Sequence, residues 1–166
     1  MPNRNRVEDV VGFHIDRGNG TVRTPRGSGE RIPIVVGRTY KALGRLKMCE
    51  TGCHASMTIA EASKFRFLKP GRTISLVEVW GDVRVGQNKV VGRYRKVLAT
   101  IKVPDRIKLV EKTVESYDEY GGDPQKVTFK VVDPDWLASL EEKLHAQYKQ
   151  NKRAVDADET VVELPA

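Results

Sequence analysis

The sequence predicts an α+β fold, a twisted and mostly antiparallel sheet with one short helix in mid-chain and an amphipathic helix near the C-terminal end. Three observations lead there. Residues 72–103 hold two long apolar-rich runs parted by Gly86-Gln87-Asn88, the pattern of neighbouring strands joined by a turn. Asp133-Pro134 followed by Trp136, Leu137, Leu140, Leu144 and Tyr148 combines a cap, a first-turn proline and a helical apolar stripe. A chain of 166 residues, 39% hydrophobic, suffices for one domain with its own core and is short for two.

The elements follow in order. Residues 1–9 read as a basic flexible arm. In Val10–Asp16 the residues Val11, Phe13 and Ile15 share one face and Gly12, His14 and Asp16 the other, which is a half-buried strand. Arg17-Gly18-Asn19-Gly20 supplies an Asn-Gly turn, so Thr21-Val22-Arg23 is expected to return as that strand's partner. Residues 24–29 form a Gly/Pro/Ser loop without the Gly-Lys-Ser/Thr ending of a P-loop. Ile32–Val36 and Arg38–Leu43 are strand-like. Thr58 with Glu61 fits a capping box that opens a helix over about 59–67, ahead of Pro70-Gly71.

Arg72–Val85 is the strongest strand signal. Ile74, Leu76, Glu78 and Trp80 share one face, Ser75, Val77 and Val79 the other, and apolar residues on both faces mark a central strand. Lys89–Val103 reads as a second long strand ended by Pro104. Residues 105–119 suit helix or strand, Lys126–Val132 a strand, and the helix opened by Asp133 runs about 18 residues. The acidic residues 154–166 read as a disordered tail, which leaves 10–153 as the domain.

Charge narrows the partners. Residues 1–110 carry 22 Lys and Arg against 9 Asp and Glu, whereas residues 111–166 carry 7 against 13. A basic body points to an anionic partner, a nucleotide or nucleic acid. Arg93, Arg95 and Lys96 around Tyr94 would form a basic face bearing an aromatic, the form of a nucleic-acid-binding surface. The C-terminal helix or acidic tail offers a handle for a protein partner. No apolar run reaches the ~20 residues of a membrane span, and the N-terminal segment lacks the apolar core of a secretory signal. A cytoplasmic protein is expected, with no membrane association.

Both cysteines lie in Cys49-Glu50-Thr51-Gly52-Cys53-His54-Ala55-Ser56. As a zinc site the stretch has Cys-x3-Cys spacing in place of the usual Cys-x2-Cys knuckle, and no second ligand pair follows. As a nucleophile, a thiolate needs an activating neighbour, and on a strand Cys53 and His54 point to opposite faces. The plainest reading is a glycine-dependent turn between extended segments, with no metal and no resident cofactor. A four-residue separation also closes no useful disulfide loop.

Leu46–Ser56, the alanines of the following helix, Val77-Glu78-Val79 with Gly81, and Lys89–Arg93 together resemble an uncharacterised domain with an LCxSGFHAS-type motif, widespread in bacterial and bacteriophage genomes. The likeness covers about residues 40–103. That resemblance implies a phage or prophage accessory protein in a bacterial host cell, with virion association as a further option. More distantly, the series glycine, aromatic, serine, alanine-bearing helix and apolar strand is similar to the middle of the ADP-ribosyltransferase fold. This likeness implies binding or processing of NAD or a related nucleotide. His14 would be the first-strand residue and His54 would face nicotinamide, while the late Glu of that fold has no placed counterpart, Glu78 coming too early and Glu111 and Glu115 being the other options. Glu78 is a candidate on separate grounds, as a carboxylate on the apolar face of Ile74, Leu76 and Trp80. Gly52, Ser56, Arg17 and Tyr94 would complete the substrate-binding set. Cys53 stands where both patterns have an aromatic.

Overall fold

The computed structural model describes residues 9–16, 20–22, 31–48, 52–117 and 119–164. It has the expected α+β architecture, with twelve strands and two helices among those residues. The strands are β1 (Val10–Ile15), β2 (Thr21–Val22), β3 (Ile32–Pro33), β4 (Thr39–Ala42), β5 (Cys53–Ala55), β6 (Thr73–Trp80), β7 (Arg84–Gly86), β8 (Lys89–Gly92), β9 (Tyr94–Lys102), β10 (Leu109–Ser116), β11 (Gln125–Val132) and β12 (Val161–Leu164). Helix α1 spans Ile59–Phe65 and α2 spans Pro134–Ala157.

The main sheet has the order β1-β6-β9-β4-β12. Only β12 runs parallel to its neighbour. β6 is apolar on both faces and lies between β1 and β9. One face carries Phe13, Ile15, Ile74, Leu76 and Leu98, and α2 covers it with Leu137, Leu140 and Leu144. The other face carries Val77, Val79 and Val97, and a second sheet, β5-β8-β7, closes over it with Cys53, Ala55 and Val90. The two sheets join where Phe13 N–H donates to Ser56 O at 2.7 Å and Ser56 N–H donates back to Phe13 O at 2.9 Å.

The caps form as their residue types dictate. Thr58 Oγ1 accepts from Glu61 N–H at 3.1 Å, and Asp133 Oδ1 accepts from Asp135 N–H at 3.0 Å. No helix among the described residues is long and apolar enough to cross a membrane.

Three expectations are corrected. β2 pairs with β3 and not with β1, because both edges of β1 are taken, one by β6 and the other by Ser56. The run 89–103 is two strands in two sheets. Its continuity breaks at Arg93, whose N–H bonds Gly81 O and whose carbonyl accepts from Ala42 N–H. Residues 154–164 of the acidic tail are ordered: α2 continues to Ala157, Val155 and Leu164 are buried, and β12 adds to the edge of β4. Its acidic side chains sit outside while the interleaved valines and leucine supply the pairing strand.

The stretch 105–119, ambiguous in sequence, contains β10, which among the described residues pairs only with β11. One face of this hairpin has Glu111 opposite Lys130 and Glu115 opposite Lys126. The other has Val114 opposite Val127 and Lys112 opposite Phe129. Both faces are largely exposed, so the hairpin contributes little to the core. Phe129→Thr should therefore change the unfolding free energy by no more than about 0.5 kcal/mol, as surface substitutions do. A urea melt checks this, and a loss of several kcal/mol would mean that the apolar face is covered in solution.

Candidate functional site

The site grows from the junction of β1, β5 and β9. In the β1–β6 register Gly12 opposes Val77 and His14 opposes Ser75, so Gly12 and His14 point away from α2, toward the second core. A Cβ on Gly12 would stand 2.5 Å from Ser56 O, so only glycine lets the Ser56 backbone approach β1 this closely. At the other end of the motif Gly52 has φ +128°, and a Cβ there would meet Val91 Cγ2 at 2.4 Å. Gly52 and Ser56, expected to bind substrate, thus have a visible role in holding β5. Ser56 is buried and its backbone makes the bridge to Phe13.

Arg95 comes from β9, opposite Val79 on one side and Tyr40 on the other, and therefore points into the space between the sheets. It is 5% exposed. One guanidinium nitrogen, Nη1, donates to His54 O at 3.0 Å, while Nε is buried with no hydrogen-bond partner among the described residues. Among the described residues no carboxylate lies in ion-pair contact with it. Burial pulls its pKa down, opposed by the nearby Cys53 and Tyr40.

His14 feels this charge. Burial first, and then the charges of Arg95, Arg66, His54 and Lys89, hold its pKa well below the usual 6.5. All four neighbours push the same way, so His14 is a neutral imidazole at pH 7. Directly across the strand pair, Ser75 Oγ is buried and has no partner among the described residues. The constellation is strongly cationic, with neutral donors at its centre.

The remaining candidates divide. His54 lies within electrostatic reach of His14. It pairs with Val91, whereas Cys53 and Ala55 on either side of it point into the core, so its side chain leaves β5 on the outward face. The two histidines approach each other but do not share one face. Glu78 is on the wrong side for their site: it opposes Val11 and Lys96, on the α2 face of the sheet. Arg17 and Cys49 lie outside the described residues. Burial pushes the Cys53 thiol up, and its Sγ contacts Tyr40 O at 3.5 Å, so it is held as a protonated core group.

The basic stripe Arg93, Arg95 and Lys96 does not form one exposed face: Arg93 is partly exposed, whereas Arg95 and Lys96 are buried. Alternation along β9 sends Arg95 inward and Tyr94 and Lys96 toward α2. Lys96 is 1% exposed, with Nζ donating to Asp158 O at 2.8 Å. Arg93 spends its guanidinium on Ala42 O and Gly44 O. Tyr94 stacks on Trp80, with ring centroids 5.5 Å apart and planes inclined by 15°.

Two contributors, Arg66 and Lys89, were not singled out from sequence. Arg66 sits at the C-cap of α1, and Lys89 opens β8 with its Nζ 4.3 Å from the Phe65 ring centroid. No local sequence signal marks either, because tertiary packing brings them to His14. Among the described residues no three His, Cys, Asp or Glu side chains are grouped as a metal ion would require. Comparisons with protein-family models, curated proteins and solved structures found no match to this chain.

Proposed function

We propose that this chain binds a small phosphate-bearing ligand, of nucleotide type, at the cationic site around His14 and Arg95. The observation that carries the reading is Arg95: a buried guanidinium without a carboxylate partner among the described residues, with its Nε unsatisfied. Burying an unpaired charge costs several kcal/mol even after relaxation. An anion offsets that cost by giving Arg95 a counter-charge and its Nε an acceptor, with Ser75 Oγ–H and His14 N–H as further neutral donors.

The reading is one of binding. Cleavage of a glycosidic bond to nicotinamide builds positive charge that a carboxylate would stabilise, and the groups that bear on His14 are all cationic. The likeness to ADP-ribosyltransferases therefore supports a nucleotide near His14 and supplies no acid for the chemistry. Nucleic-acid binding through residues 93–96 is disfavoured because Arg95 and Lys96 are buried and the Arg93 guanidinium donates to Ala42 O and Gly44 O. A protein partner on α2 is disfavoured because its apolar stripe packs on the sheet.

Thermal unfolding tests the proposal. At constant ionic strength, phosphate or pyrophosphate at one hundred times its Kd should add about 2.7 kcal/mol. That stabilisation raises Tm by roughly 5–10 °C for a chain of this size. Equal Tm values in chloride, phosphate and pyrophosphate would overturn it.

A further inference from the structure

The β10–β11 hairpin has two unlike faces. On one, Glu111 stands opposite Lys130, Glu115 opposite Lys126, and Thr113 Oγ1 shares a hydrogen bond with Thr128 Oγ1 at 2.9 Å. Its charges are matched across the strands, so this face is complete in water. The other face carries Val110 opposite Val131, Lys112 opposite Phe129 and Val114 opposite Val127. Phe129 is 42% and Val127 46% exposed. Neither strand pairs with any other among the described residues, and beyond its base the hairpin is exposed. A two-stranded ribbon is marginal in water unless something covers its apolar side.

Charge along the ribbon says what fits there. No Lys or Arg stands between Thr113 and Gln125, where Glu115, Glu119 and Asp123 make the tip acidic. Behind the tip the balance is cationic. Residues 126–132 carry Lys126 and Lys130 and no acid, and residues 105–112 carry Arg106, Lys108 and Lys112 against Asp105 and Glu111. A ribbon that is acidic at its tip and cationic behind it complements a reversed copy of itself, and a two-fold axis supplies that reversal. We infer that two copies of this chain associate by stacking their hairpins, apolar face on apolar face and tip toward base, about an axis near the Val114–Val127 pair. Lys112, the one charge on the apolar face, then lies toward the acidic tip of the other copy. Pairing edge to edge is opposed by the sequence. β10 against its own copy about Thr113 would set Glu111 opposite Glu115, and β11 about Thr128 would set Lys126 opposite Lys130.

The size of the contact sets its strength. Strands of this length span about 27 Å and the ribbon is about 10 Å wide, so the stack covers roughly 600 Å² in total, short of the ~1,000 Å² of a durable dimer. The dimer is a weak one, with Kd about 0.1 mM. The protein is then a monomer at the micromolar concentrations of a urea melt, and the small stability effect expected for Phe129→Thr belongs to that monomer.

Sedimentation equilibrium of the full chain between about 0.02 and 1 mM, bracketing that Kd, tests the inference. The wild type should pass from monomer to dimer across that range. Phe129→Thr should weaken the dimer about tenfold or more, since both copies lose the ring. The exposed strand position makes the variant compatible with folding, and its urea melt checks this. Raising salt from about 0.05 to 0.5 M should weaken the dimer a few-fold, through screening of tip against base. In a dilution series followed by amide chemical shifts, the changes should fall within residues 105–133. A monomer at 1 mM, a dimer that Phe129→Thr leaves unchanged, or shift changes centred elsewhere would overturn the inference. Open-ended growth beyond the dimer, or association that salt strengthens, would overturn the two-fold, tip-to-base arrangement.

Discussion

Arg95→Met is expected to leave the ligand-free protein as stable as the wild type or more stable, and to remove its response to phosphate. The guanidinium is buried with an unsatisfied Nε. Methionine keeps most of the volume and removes the charge. Replacing buried ionic groups by hydrophobic residues of similar size is neutral or stabilising by about 1–4 kcal/mol. The lost bond to His54 O sets about 1 kcal/mol against this. Each net kcal/mol raises Tm by roughly 2–4 °C, whereas phosphate should no longer raise it at all. Paired melts with and without phosphate check both halves. A variant destabilised by several kcal/mol that still responds to phosphate would show that Arg95 serves the fold alone.

Acid should destabilise the free protein early, and phosphate should delay that loss. The folded state holds the pKa of His14 well below 6.5, whereas the unfolded chain titrates near that value. Below pH 6.5 the unfolded state therefore binds a proton that the folded state refuses. Stability contributed at higher pH is lost as pH falls from 6.5 toward the folded pKa, by up to about 1.4 kcal/mol per pH unit. A bound anion offsets the charges of Arg95, Arg66 and Lys89, lets His14 protonate more readily and flattens the slope. By linkage, phosphate binds more tightly as pH falls through the same range. Asp158 also contributes, but its pKa is lowered from 3.8 by the backbone N–H of Thr160, so its loss comes at lower pH. Urea melts between pH 7.5 and 5 measure the slope. His14→Gln should remove it, and an unchanged slope in that variant would assign the acid response to other groups.

Much of the scaffold was legible because local and tertiary preferences agree there. The two apolar faces of 74–80 put β6 between β1 and β9, and Thr58 and Asp133 cap the helices they were expected to cap. The site was less legible. An arginine in Arg93-Tyr94-Arg95-Lys96 reads as a solvated charge, and nothing nearby says that alternation will turn Arg95 inward while Lys96 is buried on the other side. His14 and His54 were recognisable as candidates, but their relative faces depend on the close approach at Gly12. Composition hid the ordered C-terminal region. The acidic residues outweigh Val161, Val162 and Leu164 in any average, although those three carry the strand.

One contact bears on the order of assembly. The first turn of α1 does not satisfy its own orphan donors alone: Ile59 N–H donates at 2.8 Å to Glu141 Oε1, which arrives from α2, 82 residues later in the chain. A seven-residue helix is far below the length that holds together by itself in water. α1, the turn ahead of it and Arg66 at its end should therefore become fixed only after α2 docks on the sheet. A growing chain would carry this segment unformed until nearly all of it had been made, and the cationic cluster would be among the last features to appear during folding.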